Sequence, residues 1–114
     1  MRTEDTPELA AIRELNDAFR RSFVGGAILP TPSVEELSES VRARVLLRVR
    51  NFEEFTEDND PYREHDFGSF PIDGIEYYWR IDCHNLEMNA ESEDLTDPKV
   101  TRRWLTVGVL AEYR

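Results

Sequence analysis

Two histidines and the polar residues around them are the first place where this chain could do chemistry. The run from Phe67 to Cys83 is broken only by Asp73-Gly74, and Ile75, Tyr77, Trp79, Ile81 and Cys83 alternate with Glu76, Tyr78, Arg80, Asp82 and His84. Such alternation marks a half-buried antiparallel strand. Asp-Gly between apolar runs is the favoured two-residue hairpin turn, because both central residues must take positive φ. Counting outward from the turn pairs Ile72 with Ile75, Phe70 with Tyr77 and Gly68 with Trp79 on one face, where the missing side chain of Gly68 leaves room for the indole. The other face pairs Ser69 with Tyr78, Phe67 with Arg80 and His65 with Asp82. That face would hold His65, Asp82, His84, Arg80 and Tyr78 together. Asp82 would set the tautomer of His65, His84 would supply a second titrating group, and Arg80 would stabilise an anionic transition state. This combination suits metal-free phosphodiester or cyclising chemistry; the competing account is a hairpin end closed by an ion pair.

Other chemistries lack their parts. Ser69 lies roughly 13 Å along the same strand from His65, which excludes a serine triad. There is neither a Cys-x-x-Cys pair nor a His-x-x-x-His spacing, so no zinc site is expected. Asp58 and Asp60 fit the first offsets of a calcium loop, but Tyr62 and Arg63 stand where a ligand and the required glycine belong. Gly25-Gly26 has neither the pattern nor the lysine of a phosphate loop. Cys83 is the single cysteine, and strand alternation turns it away from His84 and into the core. No metal and no cofactor are expected.

The charge points elsewhere. The 114 residues carry 24 acids and 14 bases, a formal −10, and the pI is near 4.6. That balance argues against direct nucleic-acid binding. The distribution is uneven: 15 of the acids and two of the bases lie between residues 53 and 97, a local −13. Glu53, Glu54, Glu57, Asp58, Asp60 and Glu64 crowd the loop ahead of the hairpin. Clustered carboxylates of this kind can imitate a phosphate backbone and be steered onto a basic protein surface; a merely solubilising surface is the plain alternative. The acidic start has no apolar stretch behind it, and no run reaches the ~20 apolar residues a spanning helix needs. A cytoplasmic protein that touches no membrane is expected.

The elements that must position these residues form one domain over 1–114. Thr6 as cap, Pro7 at the first helical position and Glu8 in the first turn begin a helix. Leu9, Ile12, Leu15, Phe19 and Phe23 give it an apolar stripe, with Asn16 beside it, and Gly25-Gly26 ends it. Ala27–Leu29 is a short edge strand stopped by Pro30 and Pro32. A turn at Ser33–Leu37 leads to a second helix from Ser38 to about Phe52, buried through Val41, Val45, Val49 and Phe52 and covered by Arg42, Arg44, Arg48 and Arg50. Asn85–Lys99 is irregular, and Leu105, Val107 and Val109 mark a last strand. The architecture is α+β: two helices on an antiparallel sheet of three to four strands, centred on the Asp73-Gly74 hairpin.

The run Asn59-Asp60-Pro61-Tyr62-Arg63-Glu64-His65-Asp66-Phe67-Gly68 stands before the hairpin, and the tail reads Thr101-Arg102-Arg103-Trp104-Leu105-Thr106. With Leu15-Asn16-Asp17-Ala18-Phe19-Arg20 and Gly25-Gly26, the chain resembles a family of small bacterial proteins known only as a domain of unknown function. The resemblance covers nearly the whole chain. It implies a proteobacterial setting, often on plasmids and other mobile elements, and brings no activity, cofactor or site residue. Genes that counter host defence or assist plasmid upkeep are the expectation by association. The expected function is therefore a non-enzymatic acidic binding protein that occupies a basic, nucleic-acid-handling site on a protein partner. A small metal-free enzyme using His65 and His84 is the alternative.

Overall fold

The structure, a computed structural model, describes residues 5–113. Its first helix, α1 (Pro7–Ser22), opens where the Thr6 side chain accepts from the Leu9 N–H at 3.1 Å. It closes where Phe23 turns left-handed (φ 59°) and returns its N–H to the Phe19 carbonyl. After β1 (Gly26–Pro30) comes a single turn, α2 (Pro32–Glu35), and then α3 (Glu39–Arg50), capped by the Ser38 hydroxyl on the Val41 N–H. The hairpin strands β2 (Phe67–Ile72) and β3 (Ile75–His84) follow, then β4 (Arg102–Val109) and a 3₁₀ turn over Leu110–Glu112.

The hairpin has the register that its two-residue turn dictates, from Ile72 opposite Ile75 to Phe67 opposite Arg80. Asp73 and Gly74 take φ of 51° and 83°, as the turn requires. The architecture is α+β, with helices on a four-stranded sheet of order β1-β4-β3-β2. One pairing departs from the expected antiparallel pattern. β1 runs parallel to β4, Ile28 opposite Leu105, so the sheet is mixed. Parallel pairing needs a long return path, and the helices and the hairpin between β1 and β4 provide it.

The three α-helices lie on one face. Trp79, Tyr77, Ile81, Phe70, Leu105 and Val107 meet Phe19, Val34, Val45, Val49 and Phe52 there. Trp79 is wholly buried, and the space it fills is the one Gly68 leaves: a Cβ on Gly68 would stand 2.6 Å from the indole Nε1 and 2.8 Å from Phe52. Two elements differ from the sequence pattern, β3 at its first residue and α1 along its buried side. Ile75, at the turn and beyond the cover of the helices, is 45% exposed. On α1 the innermost positions include Asn16 and Arg20, both buried, while Leu15 is half-buried.

The Gly68 contact makes a direct prediction. Gly68→Ala forces the indole or Phe52 to move in a close-packed core and should cost about 1–3 kcal/mol. Equilibrium urea unfolding measures this, and an unchanged midpoint would mean that the indole has slack.

Candidate functional site

Helical spacing brings Arg13, Asn16, Asp17 and Arg20 to one side of α1, at i, i+3, i+4 and i+7. Arg20 has no exposed surface. Its Nη1 donates to the Val49 carbonyl at 3.0 Å and the Arg50 carbonyl at 3.2 Å, and its Nη2 donates to Asp17 Oδ1 at 2.9 Å. The guanidinium lies 5.1 Å from the ring centre of Trp79 and 5.5 Å from that of Phe55. A buried cation so enclosed needs its counter-ion and its hydrogen bonds together. Asp17 is also the partner of His65, whose Nδ1 stands 3.0 Å from both carboxylate oxygens. The imidazole stacks on Phe55 with centroids 3.7 Å apart and planes 3° from parallel. Asp60 completes the enclosure: it accepts the His65 backbone N–H at 3.2 Å, and its Oδ2 lies 3.6 Å from Nε2.

A second set of bonds runs from the same helix. Asn16 donates to the Glu64 carbonyl at 2.9 Å and accepts from Arg103 Nε at 2.8 Å. Arg103 Nη2 donates to the Leu95 carbonyl at 2.9 Å. One helix face thereby fastens the loop before β2, the loop before β4 and β4 itself.

The five residues expected to share the hairpin's polar face do not meet. Strand pairing starts at Phe67, and the Ile81 N–H donates to the Asp66 carbonyl at 2.8 Å. His65 is left-handed at φ 55°, which takes it out of the strand, so its ring faces α1 instead of Asp82. Asp82 is bound to Arg80 Nε at 2.9 Å on the opposite face of the sheet. Arg80 also donates to the Tyr113 hydroxyl at 3.2 Å. His84 meets Trp104 edge-to-face, centroids 5.8 Å apart, and stands opposite Arg102. Tyr78, expected at the surface, is buried beneath Tyr113, centroids 4.5 Å apart, because the 3₁₀ turn folds back over that end of the sheet. Burial pushes the Tyr78 hydroxyl pKa up.

The six loop acids also divide. Glu53, Glu54, Glu57 and Asp58 are exposed, with Glu53 held by Arg21 at 3.0 Å. Asp60 is buried against His65 and is no part of the surface. Glu64 turns inward as well. It lines a hollow of about 180 Å³ with Asn16, Asp66, Asp82, Cys83 and Glu91. Burial, and next the charge of Asp66, raise the Glu64 pKa above the usual carboxylate range; burial and then Asp60 raise that of Asp66. Burial also pushes the Cys83 thiol up, which suppresses the thiolate a nucleophile needs.

A neighbouring hollow of about 240 Å³ is lined by Arg13, Phe55, Thr56, Asp60, Arg63 and His65, with Glu57 at its side. The four-residue segment between the hollows sorts its charges. Arg63 and His65 face one, Glu64 and Asp66 the other. Arg63 and His65 are both left-handed, φ 60° and 55°. A wider cleft of about 460 Å³ at the start of β1, beside Leu86, Arg102 and Trp104, holds no group of titratable side chains beyond its arginines.

Among the described residues no group of three or more His, Cys, Asp or Glu is placed to hold a metal ion, and no helix is long and apolar enough to cross a membrane. Asp17, Arg20 and Arg103 were not anticipated as site residues. The visible signal was Asn16 and Arg20, one turn apart within the apolar stripe of α1.

The family described as "Protein of unknown function (DUF3768)" matches residues 30–112, most of the chain, and the chain belongs to that family. No curated protein and no solved structure matches it.

Two predictions follow from the cluster. Asp17→Ala leaves the buried Arg20 cation only the exposed Glu53, at 3.7 Å, as counter-ion and should cost about 3 kcal/mol, whereas His84→Ala should stay within about 0.5 kcal/mol; chemical denaturation compares the two. The second concerns pH. A carboxyl whose folded-state pKa is raised binds its proton more tightly in the folded chain, so its stabilisation is present at low pH and lost as pH rises through the folded value. Glu64→Gln should therefore raise the melting temperature at pH 7 by roughly 2–4 °C and leave it unchanged near pH 4. Thermal melts across that range read the difference, and equal shifts at both pH values would contradict it.

Proposed function

We propose that this member of the family is a non-enzymatic binding protein whose acidic end receives a cationic side chain from a basic surface of a protein partner. One observation carries the reading. The hollow lined by Glu64, Asp66 and Glu91 has no cationic side chain among its lining residues, Asp82 at its side being paired with Arg80, and two of its carboxyls have raised pKa values. A guanidinium or ammonium entering it supplies counter-charge and favours the ionised form of both carboxyls. The exposed Glu53, Glu54, Glu57 and Asp58 add a negative field that steers a basic surface toward the chain. A bacterial accessory gene on a mobile element, acting in the cytoplasm against a nucleic-acid-handling protein of a defence system, is the setting that suits such an acidic mimic. The competing enzyme needs His65 and His84 on one face, and no contact supports that arrangement.

A nona-arginine peptide serves as a partner mimic. Its affinity should fall steeply with added salt and rise from pH 5 to pH 7.5. It should drop about tenfold in the doubly neutral Glu64→Gln, Asp66→Asn variant, the loss of one close charge pair or about 1.4 kcal/mol. Calorimetric titration measures all three, and retention of wild-type affinity by the neutral variant would remove the acidic hollow from the binding site.

A further inference from the structure

The hollow beside Phe55 and His65 is unexplained by an acidic binding end, because in a chain of formal charge −10 it gathers cations. Arg13 is the principal one. Its Nη1 and Nη2 grip the two carboxylate oxygens of Asp5 at 2.7 and 3.0 Å, and Arg63 Nη2 stands 4.0 Å from the same Oδ1. Paired parallel bonds of this kind are how a guanidinium recognises a carboxylate. Arg13 Nη1 is also fixed by the Arg63 carbonyl at 3.2 Å, so the fork is aimed before anything binds. Asp5, by contrast, sits ahead of the cap of α1 with 40% of its side chain exposed. It is a surface carboxylate parked in an arginine clamp.

The remaining walls describe what a replacement would look like. The stacked rings of Phe55 and His65 form a flat side, and the His65 side chain is 23% exposed. A volume of about 240 Å³ falls below the ~300 Å³ of ordinary drug-sized sites, which suits a single ring. Glu57 and Asp60 at the side oppose a second negative charge. The left-handed backbone at Arg63 and His65 is the strain that turns both side chains into this hollow.

The geometry points to a binding site for a small aromatic monocarboxylate, its carboxylate on Arg13 and Arg63 and its ring against the Phe55–His65 stack, with Asp5 as a tethered competitor. The exchange is charge for charge: one carboxylate leaves the clamp as another enters. Its ligand contacts, Arg13, Arg63, Phe55 and His65, include none of the carboxyls of the acidic hollow, so the two readings fail separately.

Sodium benzoate is the probe, followed by proton–nitrogen NMR of the arginine side chains and the His65 ring in the full chain. If Asp5 holds the clamp four-fifths of the time, removing it tightens the apparent Kd about fivefold. Asp5→Asn should show that gain, with shifts at Arg13 and His65. Arg13→Gln in the same background should abolish binding, and Arg63→Gln should weaken it. Benzamide, which keeps the ring and loses the charge, should not bind. Equal benzoate affinity in the wild type and Asp5→Asn, binding that survives Arg13→Gln, or no binding to Asp5→Asn up to about 10 mM (weaker than about −2.7 kcal/mol) would each overturn the assignment.

Discussion

A full positive charge sits at the centre of this protein with no surface of its own. Arg20 cannot be left there unpaired, because the cost of desolvating an isolated ion runs to several kcal/mol. Its surroundings answer that constraint at the two terminal nitrogens, while the buried Nε has no hydrogen-bond partner. Val49 and Arg50 turn toward it carbonyls from the last turn of α3, beyond the reach of the helix's own i→i−4 ladder. Asp17 supplies the counter-charge and passes its other contacts to His65. Phe55 and Trp79 offer their ring faces. The crossing of α1 over α3, the closure of the loop after α3 and the seating of the hairpin are thus tied to one side chain.

The hairpin is legible in the sequence, because period-two alternation and a two-residue turn leave one register that buries Trp79 over Gly68. The helix starts were legible from Thr6, Pro7 and Ser38, where local chemistry decides. What stayed hidden depends on long-range partners. Nothing local announces that β1 pairs with β4, since the five residues of β1 fit either strand direction. The rotation of His65 away from Asp82 follows from left-handed backbone at two non-glycine residues, Arg63 and His65, whose types carry no such signal. The inward turn of Glu64, between those two residues, has the same origin. Asn16 and Arg20 were in plain view, and their burial makes sense only once the Val49 and Arg103 ends of their hydrogen bonds are known.

The region matched by the family begins at residue 30, after α1 and nearly all of β1. The groups that α1 holds, Arg63, Glu64, His65 and Arg103, lie inside the matched region. The helix therefore works as a clasp across the matched part, joining two loops to β4 through polar contacts. A single segment serves two hollows: Arg63-Glu64-His65-Asp66 turns Arg63 and His65 to one and Glu64 and Asp66 to the other within four residues.

The order of the sheet has a consequence for how the chain comes to be folded. β4 is the last strand in sequence and an inner one in space, flanked by β1 and β3. Until it emerges, β1 has no neighbour, the buried Arg103 has not reached Asn16, and the hairpin offers a naked edge. Growing from its N-terminus, the nascent chain can form α1, α3 and the hairpin early, but these stay an open book whose spine arrives at the end. Synthesis and assembly are therefore separated in time, and the interval in which β1 and β3 both lie uncovered is when this chain is most exposed to pairing with the wrong strand.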